Sequence, residues 1–150
     1  MNNILIKEAN LQDIATIVNF NKNMAMETEG KPLDRTTLKK GVEAVMQDSQ
    51  KGFYLIAEID GKQAGCLLIT KEWSDWRNGY FWWIQSVYVK NKMRKKGVFS
   101  ALYKYVKKLA NKEENVVGLR LYVAQSNKIA QKTYKKIGMN PTHYLIYEES

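Results

Sequence analysis

The sequence predicts a mixed α/β domain, and three observations point that way. Along the 150 residues, strand-like and helix-like apolar periods follow the order β-α-α-β-β-β-α-β-α-β. Asp60-Gly61 lies between two β-rich runs and is a strong hairpin signal. A β-branched and aromatic run ending in Val87-Tyr88-Val89 passes through a basic turn with a single glycine, Gly97, directly into a helical apolar pattern. No repeat, low-complexity tract or linker interrupts the chain, so one domain is expected over residues 1–150.

Residues 4–9 read as a strand. Asn10 then offers an N-cap with Asp13 in the first turn, and Leu11, Ile14, Val18 and Met24 recur at helical spacing, which predicts a helix over 11–26. A polar loop follows, with Glu27, Glu29 and Gly30. Asp34 caps a second helix, 35–47, whose inner stripe is Leu38, Val42, Val45 and Met46. Residues 53–59 and 63–71 are the strands around Asp60-Gly61. Residues 73–79, with Trp73, Asp75 and Trp76, read as a turn-rich loop before a long aromatic strand, 80–89. The helix after the basic turn carries Val98, Leu102, Tyr105, Val106 and Leu109 on one side. Residues 116–123 are a strand, and a helix over 127–137 is stopped by Gly138 with Pro141 just beyond. Residues 142–148 are expected to close the fold as a last strand.

The formal charge is +9, and its distribution matters more than its size. Nine of the 24 Lys and Arg fall between Lys90 and Lys112 and four more between Lys128 and Lys136, with no Asp or Glu in either segment. A phosphate-bearing ligand explains such a patch, and so do solvated helix faces. A nucleic-acid surface would interleave exposed aromatics with the cations, whereas these helices place aromatics on or near their apolar stripe, so nucleic acid is not expected as a partner. The lone Cys66 lies in an apolar run and reads as a core thiol in a reducing compartment; one Cys and one His exclude a Cys/His metal site. No run approaches the ~18 apolar residues of a membrane span. A soluble, cytoplasmic protein with no membrane partner is expected.

The chemistry concentrates in Arg94-Lys95-Lys96-Gly97-Val98-Phe99-Ser100. A glycine turn at a helix start gathers unpaired N–H groups, the positive end of the helix dipole and, here, Lys92, Arg94, Lys95 and Lys96: a phosphate cradle. It matches neither G-x-x-x-x-G-K-[ST] nor G-x-G-x-x-G, which sets aside the nucleotide P-loop and the dinucleotide fold. Further on, Asn127 is followed by Tyr134 seven residues later and then by Gly138. These two motifs, in this order, resemble those of the GCN5-related N-acetyltransferase (GNAT) family, and the element order resembles that family over nearly the whole chain.

The resemblance implies acetyl-coenzyme A as cosubstrate and a mixed, mostly antiparallel sheet, splayed between its fourth and fifth strands and flanked by four helices. It implies that backbone groups of Val87, Tyr88 and Val89 meet the pantetheine arm and that residues Arg94 to Ser100 hold the pyrophosphate. It also implies that Asn127 contacts the cofactor and that Tyr134 donates a proton to the departing thiolate. Read from the residues alone, Asn127 is equally a helix N-cap, Tyr134 a core residue and Gly97 a plain turn glycine. Phe99 departs from the family pattern, which has a small residue there; its ring either crowds the pyrophosphate or turns into packing.

The acceptor is less legible. Trp76-Arg77-Asn78-Gly79 before an aromatic strand is locally similar to the polyamine and diamine acetyltransferase branch, in which a carboxylate often stands on the fourth strand; this chain has Gln85 and Ser86 there. Proton removal from the amine then falls to water or to one of Glu27, Glu29, Glu72, Asp75 and His143. Glu27, Glu29, Trp73, Asp75, Trp76 and Gln85 are the acceptor-site residues expected, with the amine between the Glu27 loop and the Trp73 loop. The expected function is transfer of acetyl to a primary amine, of a small molecule or a protein, by direct attack. The alternatives are a coenzyme-binding module without turnover and a basic nucleic-acid-binding domain. A homodimer is compatible with the tryptophan-rich strand.

Overall fold

A computed structural model describes residues 3–150. Strand β1 (Ile4–Glu8) leads into a 3-10 turn over Leu11–Asp13, where Asn10 and Asp13 cap each other reciprocally: Gln12 N–H donates to Asn10 Oδ1 and Asn10 N–H to Asp13 Oδ2, both at 2.9 Å. Helix α1 (Ile14–Glu29) runs three residues past the expected end, because Gly30 at φ +61 supplies the left-handed C-cap that closes a helix. Helix α2 (Arg35–Gln47) starts at Asp34, whose Oδ2 accepts from Thr37 N–H at 2.9 Å.

Strands β2 (Phe53–Ile59) and β3 (Lys62–Ser74) form the expected hairpin, with positive φ at both Asp60 and Gly61 as a two-residue I′ turn requires. Strand β3 reaches three residues further than the sequence suggested, so Glu72 and Trp73 belong to a strand, opposite Phe81 and Tyr80 of β4 (Gly79–Val89). Cross-strand aromatic packing explains the extension: the Trp73 and Tyr80 rings meet edge to face with centroids 4.9 Å apart. Helix α3 (Val98–Lys112), β5 (Val116–Arg120) and α4 (Lys128–Lys136) complete the fold.

The sheet order is β1-β2-β3-β4-β5, antiparallel except for the parallel β4–β5 pair. One face carries the core under α3, including Leu55, Leu67, Ile69, Trp82, Leu102 and Val106. The other carries the core under α1 and α2, including Ile17, Val42, Ile56, Cys66 and Tyr88. Leu102 is fully buried, so truncating it to Ala costs about 2–5 kcal/mol. No helix of the described residues is long and apolar enough to cross a membrane.

One expected element is not formed. Residues 142–148 adopt no regular structure, and Tyr144, Leu145, Ile146 and Tyr147 stand exposed. β-propensity is satisfied only on a sheet, and the register contains no partner for this run.

Candidate active site

Two local features of β4 create the site. Its pairing with β5 ends at Trp83↔Arg120 while β4 itself continues to Val89, so the sheet is open along 84–89. Within that open stretch the β3–β4 register shifts between Cys66 and Leu68, and Ser86 has φ +52. This is a bulge, and it reverses the facing of the strand. Before it, Trp82 and Ile84 face α3; after it, Val87 and Val89 do, and Tyr88 turns to the α1/α2 face. Gly65 opposite permits the close approach, since a Cβ there would lie 2.4 Å from the Tyr88 carbonyl oxygen.

The chain leaves β4 through a 3-10 turn over Asn91–Met93 and enters α3 at Gly97, φ +84. No side chain caps α3, so its first N–H groups, at Val98, Phe99 and Ser100, face outward. A Cβ on Gly97 would meet nothing within 4 Å, so the approach to those groups is clear. Lys92, Arg94, Lys95 and Lys96 are exposed around it. The Phe99 ring packs among apolar residues, its centroid 6.2 Å from that of Tyr103 and 5.6 Å from that of Tyr134.

Arg94 is braced rather than free. Its Nε donates to the Val89 carbonyl at 2.9 Å, and its Nη2 meets Glu27 Oε1 at 2.6 Å. Glu27 Oε2 accepts from the Tyr88 hydroxyl at 2.6 Å. The Tyr88 hydrogen bond, then the Arg94 one, hold the Glu27 carboxyl below its ordinary range. Burial, with the Glu27 bond second, pushes the Tyr88 phenol up.

Tyr134 projects from α4 against Phe99, half-buried, and burial raises its phenol above the usual tyrosine value, so it carries its proton at neutral pH. Asn127 is the N-cap of α4, with Oδ1 accepting from Ala130 N–H at 3.1 Å. Its side-chain oxygen therefore has a structural task.

The expected acceptor walls are not brought together. Glu27 sits beside Tyr88, whereas Trp73 pairs with Tyr80, eight positions away along β4, or about 27 Å at strand rise. Glu29 ends α1, exposed. Asp75 and Trp76 lie at the hairpin tip and, with Glu72, Arg77, Phe81 and Arg120, line a shallow hollow of about 280 Å³. Gln85 faces the same side as Trp83 and bonds to Thr70 Oγ1.

That face holds a cluster which sequence reasoning passed over. Trp83 Nε1 donates to Glu72 Oε1 at 2.9 Å, Arg120 meets the same oxygen at 3.4 Å, and Tyr122 stands 5.9 Å from the Trp83 ring. The signal was present in the strand alternation that puts Phe81, Trp83 and Gln85 on one side. What hid it was ending the third strand at residue 71, one short of Glu72.

The model of the Acetyltransferase (GNAT) family matches residues 20–139. A possible acetyltransferase from Clostridium difficile 630 is similar over 98% of this chain and 97% of its own, at 47% identity and a TM-score of 0.91. The aminoglycoside N-acetyltransferase AAC(6')-Iy in complex with CoA has the same fold at 16% identity, TM-score 0.82, covering 100% of this chain and 96% of that one. A predicted acetyltransferase with acetyl-CoA from Clostridium acetobutylicum does so at 18% identity, TM-score 0.79, covering 98% and 96%. No curated protein matches.

Proposed function

The chain belongs to the acetyltransferase (GNAT) family, and from that premise we propose that it transfers acetyl from acetyl-coenzyme A to a primary amine by direct attack. The observation that carries this reading is the uncapped, glycine-fronted start of α3 lying beside the open edge of β4, with Tyr134 packed against Phe99 in the first turn of that helix. The residues present fit the coenzyme. Outward N–H groups at Val98, Phe99 and Ser100, the clear front of Gly97 and the exposed Lys95 and Lys96 suit a diphosphate. The side of Val87–Val89 that no β5 residue covers, where the Val89 carbonyl is held by Arg94, suits an amide-bearing arm, as a sheet edge suits an added strand. Proteins of the same fold with CoA or acetyl-CoA support the same cosubstrate here. When bound, it supplies the acyl group as a thioester.

The chain's own residues do the rest. Arg94, held by Glu27 and the Val89 carbonyl, fixes the turn to the end of β4. Tyr134 keeps a proton at its hydroxyl for the departing thiolate. Cys66 is no acyl carrier: it is fully buried, and burial pushes its thiol up to about 12, which favours direct attack over a covalent relay. The acceptor enters from the face of Trp83 and Gln85. Glu72, beside the Trp83 ring, gives that face a carboxylate for capturing a cationic amine, and Asp75 and Trp76 extend the wall. The sole buried thiol fits a cytoplasmic setting.

The test is a panel of amines (polyamines, amino acids, aminoglycosides, lysine peptides) incubated with acetyl-CoA and read for thiol release. Turnover on at least one supports the reading. Coenzyme binding without turnover on any of them replaces it with the binding-module reading.

A further inference from the structure

Helices α2 and α3 lie on opposite faces of the sheet, and both end over the same rim of it. Between their C-terminal ends lies a cavity of about 320 Å³, within the size range of small-molecule sites. The local sequence explains the opening. α2 stops before Asp48, whose carbonyl accepts from Lys51 N–H at 3.0 Å in a tight turn, and the chain re-enters the sheet through Gly52 at φ +144, where a Cβ would overlap the Ile69 carbonyl. The connection is thereby pinned to β3, and the gap between the two helix ends is left unfilled. This cavity is no part of the transfer site. Lys71 and its cross-strand partner Trp82 border it, and Val89 lies seven residues further along β4, about 20 Å away along the strand.

The inner wall is apolar: Phe53 and Trp82 meet edge to face with centroids 5.4 Å apart, beside Tyr54, Met46 and Leu109. The mouth is polar, with exposed Glu8, Glu113 and Lys71. The Lys71 ammonium is engaged, donating to the Ser49 carbonyl at 3.3 Å. The carboxylates of Glu8 and Glu113 enter no ion pair among the described residues. The helix ends add to their sign, because the last carbonyls of a helix carry partial negative charge. Lys112 offsets that charge on α3, but α2 has no basic side chain in its last turn. α3 thus presents opposite ends to opposite charges, its uncapped N–H groups to the anion cradle and its C-terminal end to this cavity. An apolar wall behind a mouth with two free carboxylates matches one ligand chemistry, an apolar body ending in an ammonium.

We propose that this cavity is a second ligand site, separate from acetyl transfer, that takes a small aryl- or alkylammonium. The body packs on Phe53, Trp82 and Leu109, and the ammonium is held at the mouth by Glu8 and Glu113.

Protein labelled with 5-fluorotryptophan tests this in the absence of acetyl-CoA, so the outcome is separate from that of the transfer reaction. The four tryptophans report different places: Trp82 the cavity, Trp83 the acceptor face, and Trp73 and Trp76 the tip of the β3–β4 hairpin. With the signals assigned from Trp73→Phe, Trp76→Phe and Trp83→Phe, tryptamine should shift the Trp82 fluorine resonance saturably. Tryptophol, its uncharged counterpart, should do so about tenfold more weakly, and indole-3-acetate not at all. Glu8→Gln combined with Glu113→Gln should raise the tryptamine dissociation constant by about threefold to tenfold. Lys71→Gln, which removes the cation at the mouth, should lower it, a gain that misfolding does not imitate. A Trp82 resonance that tryptamine leaves in place overturns the proposal, and so does a response equal for all three ligands or unchanged in both variants. A saturable shift at Trp83 alone also overturns it, because the amine then sits on the acceptor face.

Discussion

The Glu27 carboxylate meets the Arg94 guanidinium at 2.6 Å, joining the last turn of α1 to the basic turn that opens toward α3. Both side chains are about two-fifths exposed, 39% and 42%, so the pair contributes only about 0.2–1 kcal/mol to stability. Its consequence is positional. With Arg94 also donating to the Val89 carbonyl, the phosphate turn is tied to the strand end that would hold the pantetheine arm.

Glu27→Gln and Arg94→Ala should each raise the KM for acetyl-CoA by about threefold to tenfold with a smaller change in kcat, and the double variant should fall short of the product. If Glu27 instead competed with phosphate for Arg94, Glu27→Gln would lower that KM. A pH series gives a second readout. Because the folded carboxyl is depressed below its ordinary 4.5, its contribution is present above that value and lost as pH falls through the folded pKa. The difference in melting temperature between wild type and Glu27→Gln should therefore shrink below about pH 4.5.

Gly97 tests the cradle. Saturating acetyl-CoA at about 100 times its Kd stabilises the folded state by about 2.7 kcal/mol, a rise of roughly 5–10 °C for a chain of this size. NAD and ATP at the same concentration should do much less. Gly97→Glu adds a carboxylate where the approach is clear and also strains a residue at φ +84, so Gly97→Ala serves as the control for strain alone. Loss of the acetyl-CoA shift in the Glu variant but not in the Ala variant identifies the anion site; a wild type that ignores acetyl-CoA refutes it.

Most of this architecture was legible because local signals agreed with tertiary ones. Asn10 and Asp34 cap where their spacing said, Asp60-Gly61 turns the hairpin, and Gly97 opens α3 in the left-handed conformation. What escaped notice depended on partners distant in sequence. The bulge at Ser86 depends on β3, and no periodicity in 80–89 announces it. Glu27 looked like a loop acid because its partners lie 61 and 67 residues away. The run at 142–148 has the propensity of a strand but no partner strand, and propensity without a partner does not make a sheet.

Tyr134→Phe should preserve the fold and the acetyl-CoA thermal shift while lowering kcat by about 10²-fold or more, the usual scale for loss of a general acid. The direction of its pKa sets the pH signature. Burial raises the phenol above its ordinary 10.0, so the acid is lost only on the far alkaline side. A wild-type decline in kcat there, absent from the residual activity of the variant, assigns the proton to this hydroxyl. Equal turnover in wild type and Tyr134→Phe leaves the residue as packing against Phe99.

Glu72 decides the acceptor wall. It is the carboxylate that Trp83 Nε1 and Arg120 both hold, on the face where β4 parts from β5, while Asp75 stands on the exposed β3–β4 turn and Glu29 at the exposed end of α1. A carboxylate fixed by two donors beside an indole captures an ammonium and leaves the cosubstrate side untouched. Glu72→Gln keeps the shape and removes the charge, so with the best amine found it should raise acceptor KM by about tenfold and leave acetyl-CoA KM unchanged. Asp75→Asn should act in the same direction and more weakly, because its charge is more fully screened. Adding salt should shrink both effects. If Glu72→Gln matches wild type across pH and ionic strength while Asp75→Asn or Glu29→Gln does not, the amine is captured at the β3–β4 turn or at the end of α1 respectively, and the Trp83 face serves another purpose.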